Sequence, residues 1–145
     1  MKTLIARLVG ILEIAGGLFG LCIYAARAFE LRAPLAFALM LLGALAFALA
    51  LAAGVKLLEG DERGWRWSSW VQLAQIPILA TPFVTYGWNV GVTAGLVVRL
   101  GSGWSFGYRL PSAEWMLHLG EGHGWFLGIN FVAVIAFLLL RLARR

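Results

Sequence analysis

Charge is what this chain has least of. Only 13% of its 145 residues are Asp, Glu, Lys or Arg, against about a quarter in soluble domains. With 61% hydrophobic residues, a single domain of this length has too little interior to hide its apolar surface from water. An ordinary water-soluble domain is thereby excluded, and a lipid bilayer is the expected solvent. Cysteine is nearly missing too. Cys22 is alone, so no intrachain disulfide can form and the redox compartment is not readable from it. The chain also lacks a phosphate-binding glycine loop, a dinucleotide fingerprint, a Ser-His-Asp arrangement and paired catalytic carboxylates. No enzyme activity and no cofactor are expected. The net charge of +5 does not point to nucleic acid, because the basic residues are scattered between apolar segments and gather at the C-terminus, where they serve topology and lipid headgroups.

What is present is a series of apolar runs. The expected fold is an all-α membrane protein, a single domain over 1–145, with four transmembrane helices at about 4–26, 34–58, 67–88 and 125–142. Met1 to Ala28 has a signal peptide's outline, with Lys2 and Arg7 before an apolar run and Ala26-Arg27-Ala28 after it. The run is long for that role and contains Glu13, so a retained first span is expected. Gly16-x-x-x-Gly20 is the spacing that lets helix backbones approach closely in lipid. Pro34 suits the first turn of the second span. Pro77 and Pro82 are expected to kink the third.

Between the third and fourth spans the helical pattern gives way to alternation. Leu96, Val98 and Leu100 alternate with Val97 and Arg99, and Trp104, Phe106, Tyr108 and Leu110 alternate with Ser105, Gly107 and Arg109. The pattern predicts a β-hairpin over about 94–110, turning at Gly101-Ser102-Gly103 and pairing Leu100 with Trp104, Val98 with Phe106 and Leu96 with Tyr108. Large apolar residues share one face, Arg99 and Arg109 the other. Pro111 is expected to end the second strand, and Ser112 to Leu119 to form a short interfacial helix. Trp65, Trp67 and Trp70 would mark one membrane interface, and Trp88, Trp104, Trp115 and Trp125 the other.

Four crossings divide the basic residues eight against four, with Lys2, Arg7, Lys56, Arg63, Arg66, Arg141, Arg144 and Arg145 on the richer side. Both termini are then expected in the cytoplasm and the hairpin outside, in the inner (plasma) membrane of a bacterium.

Glu13 is the leading candidate for a functional residue, since an ionisable group within a span is expensive and faces a partner or a water path. Gln72 and Gln75 lie at matching depth on the third span, and Asn130 interrupts the fourth. Together Glu13, Gln72, Gln75 and Asn130 form the expected intramembrane polar cluster. Glu114, His118 and Glu121 fall at i, i+4 and i+7 and, with His123, offer weak metal-ligand chemistry that would serve a metal-dependent membrane enzyme.

Ile11-Leu12-Glu13-Ile14 and the glycines after it resemble the first helix of the small multidrug-resistance transporters, over about a dozen residues. That resemblance implies a small oligomeric proton-coupled transporter using Glu13. The connection from Asn89 to Gly124 departs from that family's short loops. The leading expectation is instead a non-enzymatic accessory or assembly subunit, working through its helix faces and hairpin. It would sit in the lipid bilayer as a homo-oligomer or as part of a larger membrane complex.

Overall fold

Two long helices come first. In the computed structural model, which describes residues 2–101, 103–120 and 124–144, α1 is Lys2–Glu30 and α2 is Pro34–Leu58. At about 1.5 Å per residue both exceed a hydrocarbon core of roughly 30 Å. Pro34 sits in the first turn of α2, where its missing N–H has no helical acceptor to lose. The helices lie antiparallel and close. A Cβ on Gly20 would fall 2.2 Å from Phe47 Cδ1, so only glycine admits this contact.

Helix α3 is Glu62–Gln75. Asp61 caps it, its Oδ1 accepting from the Arg63 N–H at 2.8 Å. That bond, reinforced by the charges of Lys56 and Arg63, holds the Asp61 carboxyl below its ordinary value of 3.8. The helix ends where Pro77 has no N–H to continue it. Strand β1, Pro77–Ala80, follows, and a turn leads into β2, Val84–Arg99. In that turn the Thr81 N–H bonds Val84 O at 2.8 Å, while Thr81 Oγ1 accepts from the N–H groups of Phe83 and Val84 at 3.3 and 3.0 Å. Strand β3 is Gly103–Leu119, β4 is Phe126–Asn130 and helix α4 is Phe131–Arg144.

This is a mixed α/β architecture, which overturns the expected all-α arrangement of four spans. Among the described residues only α1 and α2 are long and apolar enough to cross a membrane. The expected third span, 67–88, is α3 followed by a β-turn-β unit. Ile76, Ile78, Val84 and Thr85 are β-branched and favour extended backbone, and the two prolines close elements instead of kinking one. The expected fourth span, 125–142, is a strand and a 14-residue helix. Asn130, read as a polar interruption, is the cap between them: its Oδ1 accepts from the N–H groups of Val132 and Ala133 at 3.2 and 3.4 Å. The stretch from Ser112 to Leu119, expected as an interfacial helix, belongs to β3. The orientation inferred from basic residues assumed four crossings and loses that support.

All strand pairs are antiparallel, in the order β1-β4-β2-β3, with β1 also pairing with the start of β2. The expected hairpin exists, but as the tip of a longer β2–β3 ribbon. Its register pairs Val98 with Trp104, Leu96 with Phe106 and Ala94 with Tyr108, a slip of two residues from the expected pairing. A two-residue slip leaves every side chain on its face. Ser102 of the expected turn lies outside the described residues. Pro111 does not end β3. Gly91 pairs with Ser112 and Thr93 with Arg109, so Leu110 and Pro111 together oppose Val92 in a β-bulge, a place where a strand tolerates proline.

The base of the sheet packs on the helices through an aromatic run. Tyr24 stacks on Phe47 at 5.2 Å, Phe47 meets the edge of Trp88 at 6.3 Å, and Trp88 meets Trp115 at 6.4 Å. Trp115 donates its ring N–H to Leu39 O at 3.0 Å and its backbone N–H to the Tyr24 hydroxyl at 2.8 Å. Trp88 and Trp115 are therefore core residues, not the interface markers expected of them. A second core joins Ile5, Ala6 and Val9 of α1 to Leu57 of α2 and to Leu140 and Ala143 of α4. Thus α3 and α4 flank the N-terminal half of α1, and the sheet flanks its C-terminal half.

Candidate functional site

Polar residues run through the middle of the molecule, beginning at Glu13. Its side chain is fully buried. Ser68 and Gln72 stand one helical turn apart on α3 and present the same face. The Ser68 hydroxyl donates to Glu13 Oε2 at 2.6 Å, and Gln72 Nε2 donates to Oε1 at 2.9 Å. Both carboxyl oxygens therefore have a partner on the neighbouring helix.

Gln75 does not reach Glu13. It lies a turn further along α3, where its Oε1 accepts from the Val90 N–H at 2.8 Å and its Nε2 donates to Val71 O at 3.3 Å. The reason lies in the sheet. On one edge β2 pairs with β1 up to Tyr86 and with β4 only from Gly95. Val90 falls in the gap, and the Gln75 amide takes the place of the missing strand. Asn130 bridges the same gap, donating from Nδ2 to Asn89 Oδ1 at 3.2 Å. Of the four residues expected to cluster, Glu13 and Gln72 are bonded, while Gln75 and Asn130 stitch the sheet to the helices.

From Asn89 the polar run reaches the surface. Asn89 Nδ2 donates to Glu114 Oε2 at 3.0 Å, and the other Glu114 oxygen is ion-paired with Arg109. These residues open into a groove of about 390 Å³ along β2 and β3, lined by Asn89, Thr93, Arg99, Ser105, Arg109 and Glu114 with Ile78, Val97, Met116 and Phe126 among its apolar neighbours. Glycines make the room. Gly95 and Gly107 are paired across β2 and β3; a Cβ on Gly95 would meet Ile129 O at 3.3 Å and Ile78 Cδ1 at 3.6 Å, so the open floor lies over Gly107. A Cβ on Gly107 would meet nothing within 4 Å.

The sequence placed Arg99 and Arg109 on one face, and both line this groove. The alternation also put Ser105 on that face, but it gave no sign of Asn89 or Thr93 as lining residues. The signal that could have found them is the register: once Gly95 opposes Gly107, every second residue on either side faces the same hollow.

Glu114 and His118, weak metal-ligand candidates from their spacing, are not brought together. Both lie on β3, and four strand residues separate them by about 13 Å, where one helical turn would have brought them together. Glu121 and His123 lie outside the described residues. Among the described residues no group of three or more metal-ligating side chains comes together.

Compared with known proteins, the chain matches no family model, no curated protein and no solved structure. The resemblance around Glu13 to the small multidrug-resistance transporters therefore gains no family match.

Proposed function

We propose that this chain is an integral membrane protein without catalysis of its own, an accessory or assembly subunit that presents its β2–β3 tip to a partner. Its anchor is the α1–α2 pair. Leu4, Leu8, Ile11, Leu18 and Phe19 of α1 and Leu41, Leu42, Leu45 and Leu49 of α2 are exposed, and large apolar side chains exposed together mark a surface that something other than water covers. Lipid would cover it. Helices α3 and α4, about 21 Å long, are too short to cross and would stand beside one half of the anchor. Lys2, Arg66, Arg141 and Arg144 gather at that end of the molecule, which supports placing it in the cytoplasm of a bacterial inner membrane.

The small-residue helix faces are not free for partners: a Cβ on Gly16 would lie 2.2 Å from Gly91 N, and Gly20 holds Phe47. That leaves the ribbon tip, and one observation carries the reading. The face that buries Trp88 and Trp115 at the base continues uncovered into Trp104, Phe106 and Tyr108, which are 75%, 59% and 82% exposed. Aromatic side chains of this kind anchor protein interfaces.

A photo-crosslinking residue placed at Trp104 or Tyr108, with Ile135 on α4 as the lipid-facing control, tests it in intact membranes. The expected result is a discrete protein adduct from the tip and none from Ile135; an adduct of twice the chain's mass would name a second copy. Lipid adducts alone at all three positions would refute the reading.

A second reading, a small oligomeric proton-coupled transporter, has the complete burial of the Glu13 carboxyl inside α1 in its favour. Proton-driven flux in proteoliposomes that is lost in Glu13→Gln would establish it.

A further inference from the structure

We infer that the groove along β2 and β3 is a binding site for an amphiphile bearing one anionic group, a carboxylate or a phosphate. Four features of the groove carry this. Its volume, about 390 Å³, lies in the range of small-ligand sites. Its floor is opened at Gly107, which pairs with Gly95 and where an added Cβ would meet nothing within 4 Å, so that space is built into the register.

Its charge favours an anion. Two arginines and one glutamate line it, a net charge of +1. Glu114 is already satisfied by Arg109 and Asn89, and Arg99 has no ion-pair partner among the described residues. A guanidinium carries five donors, so Arg109 keeps donors for a ligand after pairing with Glu114. The arrangement is also rigid. Arg109 is held by Glu114, Glu114 by Asn89, Asn89 by Asn130, and Asn130 by the first turn of α4.

The fourth feature is the wall. Ile78, Val97, Met116 and Phe126 adjoin the charged end, giving an apolar tail a place to lie. A bare anion would leave those residues unused, and a cation would face Arg99 and Arg109. The same chemistry is found in an anionic lipid headgroup with its first methylenes and in a soluble fatty acid.

The test uses the full chain in phosphatidylcholine nanodiscs, titrated calorimetrically with four probes: dihexanoyl phosphatidic acid, decanoate, dihexanoyl phosphatidylcholine and inorganic phosphate. Saturable binding of the first two, with the last two at least tenfold weaker, is expected. Preference for the phosphatidic acid would assign the site to a lipid headgroup, and preference for decanoate to a free acid. Arg99→Gln should weaken binding roughly tenfold, the loss of one charge-assisted contact. Gly107→Leu should abolish binding while the melting temperature holds, because the added side chain enters open space. Phosphatidylcholine or inorganic phosphate binding as tightly as the phosphatidic acid would overturn the inference. So would affinities within twofold of the parent in both variants, and so would no saturable binding by any probe.

Discussion

Replacing Glu13 with alanine tests the polar contact between α1 and α3 directly. The substitution strands two donors, the fully buried Ser68 hydroxyl and the Gln72 amide at 6% exposure, and a buried donor left without a partner costs about 1–3 kcal/mol. Two of them give about 2–6 kcal/mol, before the reference state is considered. In lipid the unfolded helices also find partners, and measured interhelical bonds there average about 0.6 kcal/mol, which favours the lower half of that range. The expected loss is about 3 kcal/mol, roughly a hundredfold in the folding equilibrium. Glu13→Gln keeps the volume and an acceptor for Gln72, and should cost only about 1 kcal/mol. Ser68→Ala combined with Glu13→Ala should cost less than the two changes separately, because the second removes a group already stranded by the first. Unfolding by sodium dodecyl sulfate from mild detergent, followed by tryptophan emission, measures all of these. Equal losses in the alanine and glutamine variants, or a loss below about 1 kcal/mol in the alanine variant, would refute the assignment of both carboxyl oxygens to α3.

Three further outcomes are expected. Gly16→Leu drives a side chain into the Gly91 backbone and should destabilise by about 3 kcal/mol or more, whereas Gly107→Ala should stay within about 0.5 kcal/mol; paired thermal melts compare them. Asn130→Ala removes the α4 cap and the partner of Asn89, so the amides of Val132 and Ala133 should exchange with solvent faster, at a cost of about 1–2 kcal/mol, and Asn130→Ser should recover part of it. Asp61 has a depressed folded pKa, so its contribution is complete above the ordinary value of 3.8 and is lost as pH falls through the folded value. Asp61→Asn keeps the cap but not the charge; the stability difference between parent and variant should shrink on acidification below about pH 4, and a difference constant from pH 7 to pH 3 would contradict the cap geometry.

The first two helices were legible because nothing competes with length and hydropathy there: Pro34 to Leu58 carries no ionisable group before Lys56. The error began at Ile76. An apolar run of that length fits a kinked helix or a strand-turn-strand unit, and hydropathy does not separate them. The separating information was local: a proline where α3 must stop, a threonine able to close a turn, and an asparagine three residues before Ala133 able to cap a helix. The alternation around Gly101 and Gly103 was legible as faces but not as register, because a slip of two residues satisfies the same pattern. The Glu13–Gln72 contact could be reached from depth along two helices. The groove could not, since it depends on which glycine opposes which.

Strand β2 touches every other strand of the sheet, and its two neighbours on one edge, β1 and β4, lie on either side of the β2–β3 ribbon in sequence. Pro77 pairs with Ile129, so β1 and the far half of β2 each keep a raw edge until residues 126–130 have left the ribosome. Before then, α1 and α2 can meet as a local helical hairpin, while the ribbon has nothing to close against. An unfinished chain therefore offers two unsatisfied backbone edges to its neighbours, and β4 is what makes the nascent sheet safe.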